Sequence, residues 1–228
     1  MLTVLQKLRN AVIMGDTTAV AQLTQQVLDE GLAASTVFEQ GLIPAMDTVG
    51  QQMKANEIYI PEVLRAAQAM RAGLVILEPR LTAMDGRWQA RGRVVIGTVS
   101  GDLHDIGKNM VIMMLKGAGF ETIDLGINVP RERFVASILE EKPDILGLSA
   151  LLTTTMMEME NVIEALEKVG CRDSVKVLVG GAPLSQAFAD QIDADGYGPD
   201  ASTGVDIARS WMAEKAPVVS EPGSGENE

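Results

Sequence analysis

Val94-Val95-Ile96-Gly97-Thr98-Val99, then Gly101-Asp102-Leu103-His104-Asp105-Ile106-Gly107-Lys108-Asn109, then Met110-Val111-Ile112-Met113-Met114-Leu115, is the stretch that decides the fold. The first run is continuously apolar and β-branched, the pattern of a strand buried on both faces of a parallel sheet. The last, with its flanks, is long enough for a helix ending at Gly117 or Gly119. The polar, glycine-containing middle is therefore a strand-to-helix loop at the carboxyl end of a strand, where open α/β sheets hold ligands. His104, the sole histidine in 228 residues, lies on that loop.

Working outward, the chain alternates strands at about 93–99, 121–126, 144–149, 175–180 and 195–198 with helices at about 107–118, 131–142, 155–169, 184–193 and 201–214. This alternation predicts a doubly wound, Rossmann-like (flavodoxin-like) α/β domain over 93–214. Residues 1–85 show no period of two and read as all helix. Leu5, Leu8 and Val12 share a face; Asp16 can cap a second helix with Val20, Leu23 and Val27; Thr36 and Glu39 form a capping-box pair for a third; Pro44 interrupts or starts a turn. Pro61 fits the first turn of a fourth helix with Val63, Ala67, Met70, Leu74 and Leu77 on one face. Short connections make this a four-helix bundle. The polar segment 86–92 reads as a linker, and 215–228, with Pro217, Pro222 and Gly223, as a loose tail.

Composition excludes several classes. A net charge of −12 without a basic cluster argues against nucleic acid. There is no apolar run of about 18 residues, hence no expected membrane span. The start of the chain lacks a signal-peptide pattern, and the single cysteine, Cys171, rules out an internal disulfide, so a cytoplasmic protein is expected.

A lone histidine at a strand end is ordinarily a satisfied polar residue. Its neighbours add a second reading. A metal-bound imidazole gives its other ring nitrogen to a carboxylate, and Asp102 and Asp105 are both in reach. One histidine cannot build a zinc site. It suffices where the metal brings most of its own ligands in a macrocycle.

Asp102-x-His104-x-x-Gly107 followed by Lys108-Asn109 resembles the cobalamin-binding signature of corrinoid proteins and of cobalamin-dependent methionine synthases. Ser149-x-Leu151, Thr153, Thr155 and the pair Gly180-Gly181 follow in the family's order, and the resemblance covers about residues 1–212. It implies a corrinoid cofactor, cobalamin with its cobalt, present as methylcobalamin when loaded. His104 is then the lower axial ligand of cobalt, and Asp102 holds the other ring nitrogen. The cofactor's dimethylbenzimidazole tail is buried along Asp105, Ile106, Gly107, Ser149, Leu151, Thr153, Gly180 and Gly181, with Thr155 hydrogen-bonded to Asp102. Taken alone, Ser149, Thr153 and Thr155 fit helix capping equally well, and Gly180-Gly181 an ordinary turn.

The segment from Met46 to Leu64 looks like the helical cap that shields the upper corrin face, with Met53, Ile60 and Val63 as cap residues, although an aromatic is commoner where Met53 stands. By spacing alone these three are bundle core. The implied function is a methyl carrier, not catalytic alone. It serves a substrate-specific methyltransferase and a second methyltransferase acting on tetrahydrofolate or a thiol, with a reductive activase and with the 85–92 segment as hinge. A cobalamin-sensing regulator, a mutase subunit and a corrinoid-free receiver-type domain are the alternatives.

Overall fold

In the computed structural model, residues 3–83 and 90–215 are described. Helix α1 (Val4–Ile13) opens on a reciprocal cap in which Thr3 and Gln6 exchange bonds, and α2 (Thr17–Asp29) opens on Asp16, whose carboxylate accepts from the Ala19 N–H at 2.9 Å. The third helical stretch departs from expectation. It begins at α3 (Ala34–Val37), capped by no side chain, so Thr36 lies inside a helix and makes no capping box with Glu39. It then passes through a π turn (Phe38–Leu42) into α4 (Ile43–Lys54). Pro44 is the physical reason. Proline has no N–H to give the carbonyl four residues back, and a wider turn absorbs the missing bond. The Ile43 N–H reaches back to the Phe38 carbonyl, while the orphaned Gln40 carbonyl accepts from Arg9 Nε at 2.7 Å. Helix α5 (Ile60–Ala83) carries Pro61 in its first turn, as expected.

The remaining chain forms a five-stranded parallel sheet, ordered β2-β1-β3-β4-β5. Its strands are β1 (Arg93–Thr98), β2 (Glu121–Asp124), β3 (Ile145–Ser149), β4 (Lys176–Gly180) and β5 (Gly196–Gly198). The helices between and after them are α6 (Ile106–Gly117), α7 (Arg131–Glu141), α8 (Glu158–Val169), α9 (Gln186–Gln191) and α10 (Ala201–Lys215). Alternate residues serve opposite faces. Val94, Ile145 and Leu178 point into a core shared with α6, α10 and the helical bundle, whereas Val95, Leu146 and Val177 pack with Phe134, Met159 and Leu166 on the other side.

The bundle is thus seated on the sheet domain through α6 and α10, in one continuous apolar cluster. A Cβ on Gly117 would come within 3.1 Å of Met46 and Met70. Ser202 donates to the Gly50 carbonyl at 3.2 Å, and Lys54–Asp206 and Arg209–Asp47 pair across the seam. Of the expected linker, residues 86–89 lie outside the described ones; the Arg91 N–H bonds the Gly119 carbonyl, and the Gly92 carbonyl accepts from Glu121. Of the expected tail, Lys215 belongs to α10 and residues 216–228 lie outside the described ones.

Candidate functional site

The chain leaves β1 towards β2 on one side and enters β3 on the other, so the loops after β1 and β3 diverge and open a crevice. Asp102 sits at its base, fully buried. Its Oδ1 accepts the His104 backbone N–H at 3.0 Å and faces His104 Nδ1 at 2.7 Å; its Oδ2 accepts the Leu151 N–H at 2.7 Å and the Thr155 hydroxyl at 2.6 Å. Burial by itself would push this carboxyl up. The bonds from Thr155, Leu151 and His104 outweigh it and hold the acid well below the ordinary carboxylate range. Asp102 is therefore a fixed anion, and it orients the ring.

With Nδ1 committed to Asp102, Nε2 is the nitrogen directed away from the carboxylate, and half of the side chain is exposed. The backbone behind the ring is also held, because the buried Thr98 hydroxyl donates to the His104 carbonyl at 2.9 Å. Thr98 went unsuspected in the sequence, where it looks like one more residue of a buried strand.

Beside the histidine lies a cavity of about 440 Å³, entered between the ends of β1, β3, β4 and β5. It brings together His104, Asp105, Ile106, Gly107, Ser149, Leu151, Gly180 and Gly181. Asp102 and Thr155 stand behind it. Thr153 is exposed on the turn before α8, Met53 packs at the edge of the bundle core, Ile60 is 42 % exposed, and Val63 is fully buried in the bundle. Among the described residues none of the helical segment lines the cavity, so Met53, Ile60 and Val63 are not brought to it. The loop from Gly198 to Ala201, with Gly204, completes the wall and was missed. Its signal was present: Gly198-Pro199-Asp200 is another strand-to-helix turn on the same sheet edge.

The capping alternative for Ser149, Thr153 and Thr155 does not describe this chain. Helix α8 starts only at Glu158, with Met157 before it and no side-chain cap. Gly181 does make a turn, and a demanding one: its φ is 140°, and a Cβ would lie 1.8 Å from the Ala150 carbonyl oxygen. The loops after β3 and β4 therefore touch through bare backbone.

The donor set suits a metal that arrives with its own equatorial ligands. Among the described residues no group of three or more His, Cys, Asp or Glu is arranged for a metal ion, yet one imidazole is oriented by a buried carboxylate. Around it, Leu103 (66 %) and Ile106 (71 %), which also line the cavity, present exposed apolar surface. No described helix is long and apolar enough to cross a membrane.

Comparison with known proteins agrees with this geometry. The B12 binding domain family matches residues 92–206, and a second B12 binding domain family matches residues 4–78. A corrinoid protein of Desulfitobacterium hafniense is 43 % identical over 214 residues, covering 93 % of this chain and 99 % of the relative. "Trimethylamine corrinoid protein 1" of Methanosarcina acetivorans is 39 % identical over 209 residues, 92 % and 97 % of the two chains. Among solved structures, a chain of the methanol:cobalamin methyltransferase complex MtaBC from Methanosarcina barkeri superposes with a TM-score of 0.81 at 29 % identity, covering 92 % of this chain and 80 % of that one. A histidine held by a buried carboxylate beside an apolar cavity, and relatives matched along nearly the whole length, lead to one conclusion: the chain belongs to the corrinoid-protein family of B12-binding proteins.

Proposed function

We propose that this chain is the methyl-carrying corrinoid subunit of a multi-component methyltransferase system. The observation that carries the reading is the 2.7 Å contact between His104 Nδ1 and the buried Asp102, which presents Nε2 at the mouth of an apolar cavity. A bound corrinoid supplies a cobalt centre able to accept and release a methyl group. The residues then divide the work. His104 would hold the cobalt; Asp102 fixes the imidazole ring; Thr155 and the Leu151 N–H keep Asp102 ionised. Gly107, Ser149, Gly180 and Gly181, with the loop from Gly198, accommodate the nucleotide tail, because small residues leave room for an inserted arm.

Met53 and Ile60 are the lid residues in this reading, with Val63 supporting them from the bundle core. In this reading a partner would gain access to the cofactor when the bundle shifts on the sheet domain, breaking the Ser202–Gly50 and Lys54–Asp206 contacts. Relatives named trimethylamine and dimethylamine corrinoid proteins, and the MtaBC complex, support a substrate-specific methyltransferase as the first partner and favour the carrier over the sensing regulator. The second methyltransferase, acting on tetrahydrofolate or a thiol, and a reductive activase complete the cycle.

The test is to load the protein with cobalamin, reduce it, and present it with methylated amines, methanol, betaines and aryl methyl ethers together with candidate methyltransferases. Methyl transfer that depends on His104 is expected. A protein that does not retain cobalamin overturns the proposal.

A further inference from the structure

We infer that Asn128, on the loop after β2, is a positioning residue for the Asp102–His104 pair. This rests on reading His104 as the axial ligand. Asn128 has a left-handed backbone, φ 51°, a conformation that asparagine tolerates better than most residues with a side chain. That geometry lets a single residue grip the histidine loop twice. Its side-chain Oδ1 accepts the Gly101 N–H at 2.7 Å, and its own N–H donates to the Asp102 carbonyl at 2.9 Å.

The two bonds bracket Gly101-Asp102 from outside the loop. Gly101 lies at φ 77° and has no side chain with which to anchor itself, so this is the softest point between β1 and the carboxylate. The partners of the Asp102 carboxylate orient its oxygens and the Asp102 N–H bonds the Val99 carbonyl within the loop, while Asn128 holds the Gly101 N–H and the Asp102 carbonyl from the β2 flank. The clamp is itself seated firmly. The Val129 N–H bonds the Thr98 carbonyl, the Thr98 N–H bonds the Gly126 carbonyl, and Val99 bridges Val129. A second tie runs from the far side of the histidine. The buried Lys108, at the start of α6, reaches both Asp124 oxygens at 2.7 and 2.8 Å, and Asp124 also accepts the Gly126 N–H at 2.8 Å. The segment 124–129 thus grips the histidine loop before and after the ligand.

Two substitutions separate conformation from clamping. Asn128→Gly keeps the left-handed backbone and the N–H but removes the acceptor; Asn128→Asp keeps the acceptor. Each holoprotein, labelled with the heavy nitrogen isotope and loaded with unlabelled cobalamin, is reduced to the cobalt(II) state and examined by electron paramagnetic resonance. A protein nitrogen on cobalt then gives doublet splitting, and the cofactor's own base gives triplets. The expected result for Asn128→Gly is a diminished doublet and cobalamin affinity weakened about two- to ten-fold, the worth of one hydrogen bond, with Asn128→Asp close to wild type. A wild-type doublet and affinity in Asn128→Gly overturns the inference, as does an Asn128→Asp protein no better than the glycine variant. Absence of the doublet in wild type instead overturns the reading of His104. Should Asn128→Gly not fold, amide exchange in the wild-type apoprotein decides: a protected Gly101 N–H is expected, and a freely exchanging one refutes the clamp.

Discussion

Replacing Thr155 with valine keeps the shape of a buried side chain and deletes one donor. The Thr155 hydroxyl lies 2.6 Å from Asp102 Oδ2, with Asp102 fully buried and Thr155 7 % exposed. Both partners are buried, so the loss should approach that of a hydrogen bond to a charged group, about 1.5–3 kcal/mol. For a chain of this size each kcal/mol lowers the melting temperature by roughly 2–4 °C. Urea titration of the apoprotein at neutral pH measures the loss directly, and Thr155→Ser should recover most of it. The pH profile supplies a second reading. The folded pKa of Asp102 lies below its unfolded value, so its contribution is complete above about pH 4 and is lost as pH falls through the folded pKa. Removing Thr155 raises the folded pKa, so the valine variant should show a smaller fall in stability on acidification. A valine variant within about 0.5 kcal/mol of wild type, with an unchanged acid limb, would refute the account of Asp102 as an anion held by donors.

Gly181→Ala drives a methyl group into the Ala150 carbonyl at a backbone angle alanine avoids, so a loss above about 1 kcal/mol with weakened cobalamin retention is expected, read by thermal melting and gel filtration. At the seat of the bundle, Met46→Ala should cost about 2–5 kcal/mol in urea unfolding because Met46 is 4 % exposed in the shared core. Asp47→Asn with Lys54→Gln should cost less than about 1 kcal/mol, since both ion pairs are partly solvated; the reverse ranking would refute an apolar seat. Asp195, lowered despite burial by Lys176, the Val177 N–H and Arg172, has the same sign as Asp102. Its replacement by Asn should flatten part of the stability loss below about pH 4, measured by urea midpoints across pH.

What the chain's own order of residues determined is whatever local chemistry enforces. Continuous apolar runs mark β1, β3 and β4 as buried strands, the strand–helix alternation supplies β2 and β5, all five fall within a few residues of expectation, and Asp16 caps α2 because an N-cap needs only its own turn. The histidine loop is legible for the same reason: a strand, a polar turn and a helix in succession place His104 at the sheet's carboxyl edge.

Tertiary structure decided what depends on partners distant in the chain. Thr36 looks like a cap until Pro44 and the Arg9–Gln40 bond impose a π turn. Thr155 looks like a cap until the fold brings Asp102 to it from 53 residues away. Val63 has the spacing of core and is core, because its helix turns that face onto the bundle. Asn128 is one residue of a loop until β2 is laid beside β1 and its side chain meets Gly101. Side-chain spacing encodes the periodic faces of each element. Which hydroxyl meets which carboxylate is set by how those elements stack, and stacking is a property of the whole buried core.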